Sequence, residues 1–141
     1  MKTITLDQAQ AIVAGALAHA RANKFKPLGV AVLDVRGALT AYAAEDGSTL
    51  ARAQVAMGKA GGAIAMGIGS RALAKRPPQF ANAIGQLIQF GLVPVPGGVI
   101  IRSGDDVVGA VGISGDNSDN DEAAALAGIA AAGLTGDPGA E

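Results

Sequence analysis

The sequence predicts an α+β domain built around an antiparallel five-stranded sheet. Three observations predict this class: an amphipathic run opens the chain, short β-prone runs come in two groups, and helical segments separate and flank those groups. Strands grouped along the chain and joined by tight turns pair as antiparallel neighbours, whereas regular alternation of strands and helices favours a parallel sheet. The length of 141 residues is that of one domain.

Helices are expected at the two ends of the chain and in its middle. The first spans residues 6–23, because Thr5 and Gln8 form a capping-box pattern ahead of apolar residues spaced by three and four. Residues 70–90 contain two adjacent prolines and are expected to form one or two short helices. The last helix spans about 120–132, with Asn120 or Asp121 as its cap.

The strands are predicted as a hairpin followed by a three-stranded meander. Apolar and β-branched runs, separated by turn signals such as Arg36-Gly37 and Gly104-Asp105, indicate these strands. Residues 1–134 are therefore expected to form a single domain, and residues 135–141 a flexible tail. The five predicted strands are 28–34, 38–44, 92–95, 99–102 and 107–113.

A second helix is predicted over residues 48–66, with Ser48 or Thr49 as its cap. Its interior contains glycines, which are unfavourable in a helix. Three interior glycines, at 58, 61 and 62, each cost about 1 kcal/mol in a helix relative to alanine. They indicate a close approach of another helix, within the chain or across a subunit boundary.

Arg52 and Lys59 are seven residues apart and so share one face. That face could bind a carboxylate ligand, or both side chains could reach solvent or pair with acids.

The composition excludes several classes of function. The 11 basic and 12 acidic residues leave a net charge of −1, which provides no basic field for nucleic acid or for an anionic membrane. No apolar stretch approaches the length that spans a bilayer, so a cytoplasmic protein is expected. The absence of cysteine removes disulfides and thiolate metal sites. Half of the residues are hydrophobic and only 16% are charged, which suits further burial in an oligomer.

Few side chains could ligate a metal or haem iron. His19 is the only histidine and lies near the end of the first predicted helix, and it is a candidate ligand for a metal or for haem iron. Tyr42 is the other candidate for haem iron, and Met57 and Met66 are softer ligands. The acidic run that includes Asp116 and Asp119 lacks the frame of an EF-hand loop, and helix capping explains it more simply.

Several landmarks, taken together and in order, resemble the GlcG/HbpS family. That family includes the C-terminal domain of PduO-type proteins and is described as haem-degrading or haem-binding. The resemblance extends from Ile4 to Leu134. Its landmarks are Val30-Ala31-Val32-Leu33-Asp34 followed by Gly37, then Lys59-Ala60, Pro96-Gly97-Gly98, Val108 to Gly115, and Asp121-Glu122.

The resemblance implies a profilin-like domain that assembles into homo-oligomers, often octamers. It also implies a ligand cleft lined by Lys59, by Gly97 and Gly98, and by Asp121 and Glu122. Where relatives carry an aromatic residue and a hydroxyl after the Lys-Ala pair, this chain has Gly61 and Gly62. The loss of bulk there predicts a larger pocket or a different ligand.

Three functions follow from these observations. The first is an oligomeric protein that binds haem, another tetrapyrrole or a small organic anion in a cleft near Lys59 and the Pro96-Gly97-Gly98 turn. The second is an isomerase or hydratase in small-molecule catabolism, with Lys59 as an anion clamp and Glu122 or Asp121 as general base. The third is an assembly subunit without a ligand.

Overall fold

The computed structural model describes residues 1–139, which form five helices and five strands. The helices are α1 (Leu6–Ala22), α2 (Ala51–Met66), α3 (Ser70–Leu73), α4 (Pro78–Gly85) and α5 (Ser118–Ala131). The strands are β1 (Gly29–Asp34), β2 (Leu39–Ala44), β3 (Gly98–Ser103), β4 (Asp106–Ser114) and β5 (Thr135–Asp137). Within residues 1–139, no helix is both long enough and apolar enough to span a bilayer.

The strands form one antiparallel sheet in the order β2-β1-β4-β3-β5. This arrangement confirms the predicted α+β class and the five-stranded antiparallel sheet with flanking helices. Along β4, the register places Ser114 opposite Gly29 of β1 and Gly112 opposite Gly98 of β3. The end of β4 therefore meets the beginnings of β1 and β3 at one edge of the sheet.

Helices cover both faces of the sheet. Helices α1 and α5 pack against each other and on one face, where Ile12 and Ile129 join Val30, Val32 and Val111 in the main core. Helix α2 covers the opposite face through a smaller core of Leu33, Ala60, Ala63, Ile100 and Ala110. The capping box of α1 is confirmed, since Gln8 N–H donates to Thr5 Oγ1 and Thr5 N–H donates to Gln8 Oε1.

The fifth strand differs from the predicted one. Residues 92–95 form no strand; this segment contains Pro94 and packs against α2 instead. Residues 135–137 were expected in a flexible tail, but they pair with β3 as the edge strand β5. The flexible-tail prediction is wrong for these three residues, because the chain after α5 returns to the open edge of β3. Residues 140–141 of the predicted tail lie outside the described part of the chain.

Two helix starts also differ from prediction. Helix α5 begins at Ser118 with Asn117 as its cap, whose side chain accepts from the Asn120 N–H, so the caps predicted at Asn120 and Asp121 are wrong. A run of polar residues offers several equivalent caps, and local sequence does not choose among them. Helix α2 begins at Ala51 with Leu50 at the cap position, and no side chain caps it.

The glycines of α2 allow a close approach by a loop rather than by a helix. A Cβ on Gly58 would lie 2.5 Å from Val93 Cγ2, and one on Gly62 would lie 3.0 Å from Leu92 Cγ. On the sheet side, a Cβ on Gly112 would collide with the Ala56 carbonyl oxygen. Small residues therefore hold α2 tightly between β4 and the 90–93 segment, and this fixes the positions of Arg52 and Lys59.

Candidate functional site

The predicted site residues converge at the sheet edge where β4 ends. Arg52 and Lys59 reach this edge from α2, confirming that they share one face, and Asp121 reaches it from α5. Arg52 Nη1 donates to Ser114 Oγ at 2.8 Å, and Lys59 Nζ donates to the Ile113 carbonyl oxygen at 2.8 Å. Helix α2 is thereby attached to the last two residues of β4.

Lys59 and Asp121 form a buried ion pair. Their side chains are each 2% exposed, and Lys59 Nζ lies 3.0 Å from Asp121 Oδ2. The second carboxylate oxygen of Asp121 accepts from the Asp116 N–H at 3.0 Å. A buried charge is tolerated when it is paired and hydrogen-bonded, and both groups satisfy this condition.

Burial shifts the pKa values of this pair in opposite directions. Desolvation lowers the pKa of Lys59 and raises that of Asp121, while their mutual attraction and hydrogen bond oppose both shifts. The positive charge of Arg52 lowers the pKa of Lys59 further. The pair therefore holds α2, β4 and α5 together.

The Pro96-Gly97-Gly98 turn encloses the lysine side chain. Gly97 has a φ of 122°, and a Cβ there would lie 2.8 Å from Lys59 Nζ, so both backbone conformation and space require glycine. Both glycines are buried, and the Gly98 N–H donates to Ser70 Oγ at 2.7 Å. That N–H is consequently engaged within the chain and not free for an anion.

Glu122 lies in a second ionic cluster beside the first. Arg71 Nε donates to Glu122 Oε2 at 3.0 Å, and the same guanidinium also binds Asp119. This cluster ties α3 to the first turns of α5. Arg71 and Ser70 are not predicted from the sequence, since neither belongs to a recognisable motif and only the fold brings them to the site. Both proposed general bases, Asp121 and Glu122, are paired with cations of the chain.

Arg52 differs from Lys59 because it lines a cavity. This cavity of about 350 Å³ lies between the loop before β1, the start of α2 and the end of β4. Arg52 is half-buried there. Glu45, one acid that could have neutralised it, pairs with Arg21 and also accepts the Leu28 N–H. The lining residues are Lys26, Pro27, Gly47, Ser48, Thr49, Arg52 and Gly115.

The side chains that could bind haem iron are only partly accessible. His19 is half-buried at the end of α1 and packs edge-to-face on Phe25, with ring centres 5.6 Å apart. Tyr42 is 37% exposed, and burial raises its pKa. Met57 and Met66 are half-buried in α2. Among residues 1–139, no group of three or more His, Asp or Glu side chains is placed to hold a metal ion.

The Tyr42 hydroxyl and the Arg52 Cβ both lie close to Gly29. A Cβ on Gly29 would lie 3.1 Å from Tyr42 Oη and 3.4 Å from Arg52 Cβ. The phenol and the guanidinium stem are therefore close neighbours at the same sheet edge. Lys59, Asp121, Tyr42 and Arg52 share this edge, but among them only Tyr42 and Arg52 are partly accessible.

Solved structures with the same fold include PduOC in complex with haem, which is 21% identical to the chain. That structure has a TM-score of 0.84, and the match covers 94% of this chain and 96% of that one. The ORFY protein of Klebsiella pneumoniae is 23% identical, with a TM-score of 0.83 and coverage of 94% and 92%. A double mutant of HbpS from Streptomyces reticuli is 27% identical, with a TM-score of 0.81 and coverage of 92% and 87%.

No curated protein matches the chain. The family model described as "Haem degrading protein HbpS-like" matches residues 4–130, which is most of the chain and agrees with the resemblance found in the sequence. The chain therefore belongs to the HbpS-like family of haem-degrading proteins.

Proposed function

We propose that this protein binds haem or a related tetrapyrrole and does so as a homo-oligomer. The observation that carries the proposal is the family match over residues 4–130, supported by the similarity to PduOC, whose solved structure is a haem complex. The fold alone would not identify a ligand, because one fold serves many functions.

The residues of the chain fit haem that is bound at the surface. Four cavities in the described part of the chain have volumes of about 250, 390, 430 and 350 Å³, at the small end for ligand pockets. Such cavities would admit an edge of the macrocycle rather than enclose it. Tyr42 or His19 would ligate the haem iron, and haem would supply redox chemistry there.

A second copy of the chain would cover the exposed ring. Helix α1 and strand β2 border a groove of about 390 Å³ lined by Leu6, Val13, Ala41 and Tyr42, among others. Leu6 is 54% exposed and Leu39, on the same strand as Tyr42, is 45% exposed. Clustered exposed apolar side chains are typical of an interface. The expected octamer is part of this proposal.

The ionic contacts favour binding over catalysis. A general base must lie within hydrogen-bond reach of the proton that it removes. Asp121 is enclosed by Lys59 and the Asp116 N–H, and Glu122 is held by Arg71. An isomerase or hydratase mechanism would require one of these pairs to open, whereas haem binding requires neither to change.

Titration of the purified protein with haemin, followed by its Soret absorption, tests the proposal. We expect saturation at a fixed ratio of haem to subunit and a shifted Soret band. Tyr42→Phe keeps the ring and removes only the hydroxyl, and His19→Gln keeps a side chain of similar size beside Phe25. The variant that changes the spectrum identifies the axial ligand. Absorbance that rises without saturation would contradict specific haem binding.

A further inference from the structure

Arg52 stands apart from the other arginines of the chain. Four of the six pair with carboxylates, and Arg76 lies over the Phe80 ring, 5.2 Å from its centroid. Arg52 has only the neutral Ser114 hydroxyl as a side-chain partner among residues 1–139. An arginine left without a counter-charge beside a cavity is available to an anion. The paired arginines are Arg21, Arg36, Arg71 and Arg102.

Two polar atoms beside the same cavity lack hydrogen-bond partners. Arg52 Nε and Ser48 Oγ are shielded from solvent, and neither makes a hydrogen bond within the described structure. Both residues line the cavity of about 350 Å³. A buried donor without an acceptor is destabilising, so native proteins normally satisfy such groups with protein, water or ligand atoms.

The charges around the cavity select an anion over a neutral molecule. Lys26 and Arg52 line it, and no acidic residue does. The nearby Asp116 carboxylate already accepts from the Lys26 N–H, the Asn117 N–H and Asn120 Nδ2. Two cations without an opposing carboxylate in the lining give the cavity a positive potential.

We propose that Arg52, Ser48 and Lys26 form a binding site for a carboxylate. The planar guanidinium matches a carboxylate in two parallel hydrogen bonds, and the serine hydroxyl adds a third donor. Binding turns Arg52 Nε toward the cavity and gives it the acceptor that it lacks. The volume suits a small organic acid, or one propionate of a haem whose ring stays outside. The site goes beyond haem binding, because it recognises the carboxylate of either source.

Calorimetric titration with acetate, lactate and succinate at constant ionic strength tests the site directly. We expect Arg52→Gln to weaken carboxylate binding by about tenfold or more, since it removes a charge-assisted hydrogen bond. Ser48→Ala should weaken it less, and Arg52→Lys should retain part of it. Arg76→Gln is the matched control, because it removes an arginine that does not line the cavity and should leave the affinity unchanged. Far-UV circular dichroism of each variant verifies that it folds.

A second arm compares haemin with its dimethyl ester, which lacks free carboxylates. If Arg52→Gln binds the free acids more weakly than the wild type does, the cavity is a site for small acids. If instead only haemin depends on Arg52, and esterification removes this dependence, a propionate occupies the site. The proposal is overturned if Arg52→Gln binds every acid and haemin as the wild type does. Failure of haemin to saturate the protein would refute haem binding but leave the small-acid result intact.

Discussion

Lys59 and Arg52 lie on the same face of α2, two turns apart, and yet the structure uses them differently. Lys59 is 2% exposed and bound to Asp121 and to the Ile113 carbonyl oxygen. Arg52 is half-buried, binds only the Ser114 hydroxyl and lines a cavity. The spacing along the helix thus places two cations on one face. Their tertiary contacts then determine which of them has a structural role.

The contrast follows from what burial costs each charge. A fully buried ammonium must be paired, and the pairing then leaves it little capacity for a ligand. A guanidinium at the rim of a cavity keeps its remaining donors available and loses less hydration. We therefore assign the stability of this sheet edge to Lys59 and its ligand recognition to Arg52.

The largest effect is expected from breaking the buried pair. Lys59→Met leaves the Asp121 carboxylate buried without its counter-charge and should lower the free energy of unfolding by about 3–5 kcal/mol. Urea denaturation measures this loss. The double variant Lys59→Met/Asp121→Asn removes both charges and should recover much of it.

Lys2→Met is the matched control for the buried pair. It breaks a lysine–aspartate pair of similar length, 3.1 Å, whose side chains are 59% and 61% exposed. The expected loss is at most about 1 kcal/mol. Equal losses for Lys59→Met and Lys2→Met would contradict the structural role of the buried pair.

A smaller loss of stability is expected when α2 is pushed away from β4. A Cβ at Gly112 collides with the Ala56 carbonyl oxygen, a backbone atom that cannot rotate away. Gly112→Ala should therefore lower the free energy of unfolding by about 1–3 kcal/mol or more. Gly85→Ala is the control, because its Cβ would come no closer than 3.4 Å to Leu92. Similar thermal unfolding of the two variants would show that α2 is not held as closely as described.

Asp116 holds the loop beside the Arg52 cavity, and its contribution to stability should decrease at acid pH. Hydrogen bonds from the Lys26 N–H, the Asn117 N–H and Asn120 lower the pKa of Asp116 below its ordinary value. A lowered folded-state pKa adds stability above the unfolded value of about 3.9, and this stability is lost as the pH falls through the folded pKa. Asp116→Asn should therefore be less stable than the wild type at pH 7, and the difference should shrink below about pH 4.

Unfolding curves recorded from pH 2 to pH 7 test the role of Asp116. Asp105→Asn, in the exposed turn between β3 and β4, controls for the loss of an aspartate as such. A gap between Asp116→Asn and the wild type that widened toward low pH would reverse the predicted sign.

The smallest change in stability is expected from Arg52→Gln. Its side chain contributes one hydrogen bond to Ser114 and no ion pair within the described residues. The free energy of unfolding should fall by no more than about 1 kcal/mol. A loss as large as that of Lys59→Met would show that the two residues play the same structural role.

The sequence predicted elements wherever the signal is local. The capping box at Thr5, the β1–β2 hairpin and the two short helices around Pro77 depend on neighbouring residues and are confirmed. The three-residue β5 has no strand pattern of its own, because it is defined only by pairing with β3. Periodicity therefore could not identify it.

For the site, sequence reasoning found the residues but not their partners. It grouped Arg52 with Lys59 and noticed Asp121 and Glu122, and the fold brings all four to one edge of the sheet. It could not see that Asp121 would neutralise Lys59, since the two are 62 residues apart and only tertiary packing joins them. Their predicted roles as ligand contacts stay predictions.

Urea unfolding of the wild type and Arg52→Gln, each with and without saturating lactate, tests the central contrast most directly. A ligand that binds only the folded state raises the free energy of unfolding, and the increase grows with the ratio of ligand concentration to Kd. We predict that the two proteins unfold at nearly the same urea concentration without lactate, and that lactate stabilises the wild type more than Arg52→Gln. Equal stabilisation of both proteins by lactate, or a large loss of stability in Arg52→Gln without it, would contradict the assignment of Arg52 to ligand binding.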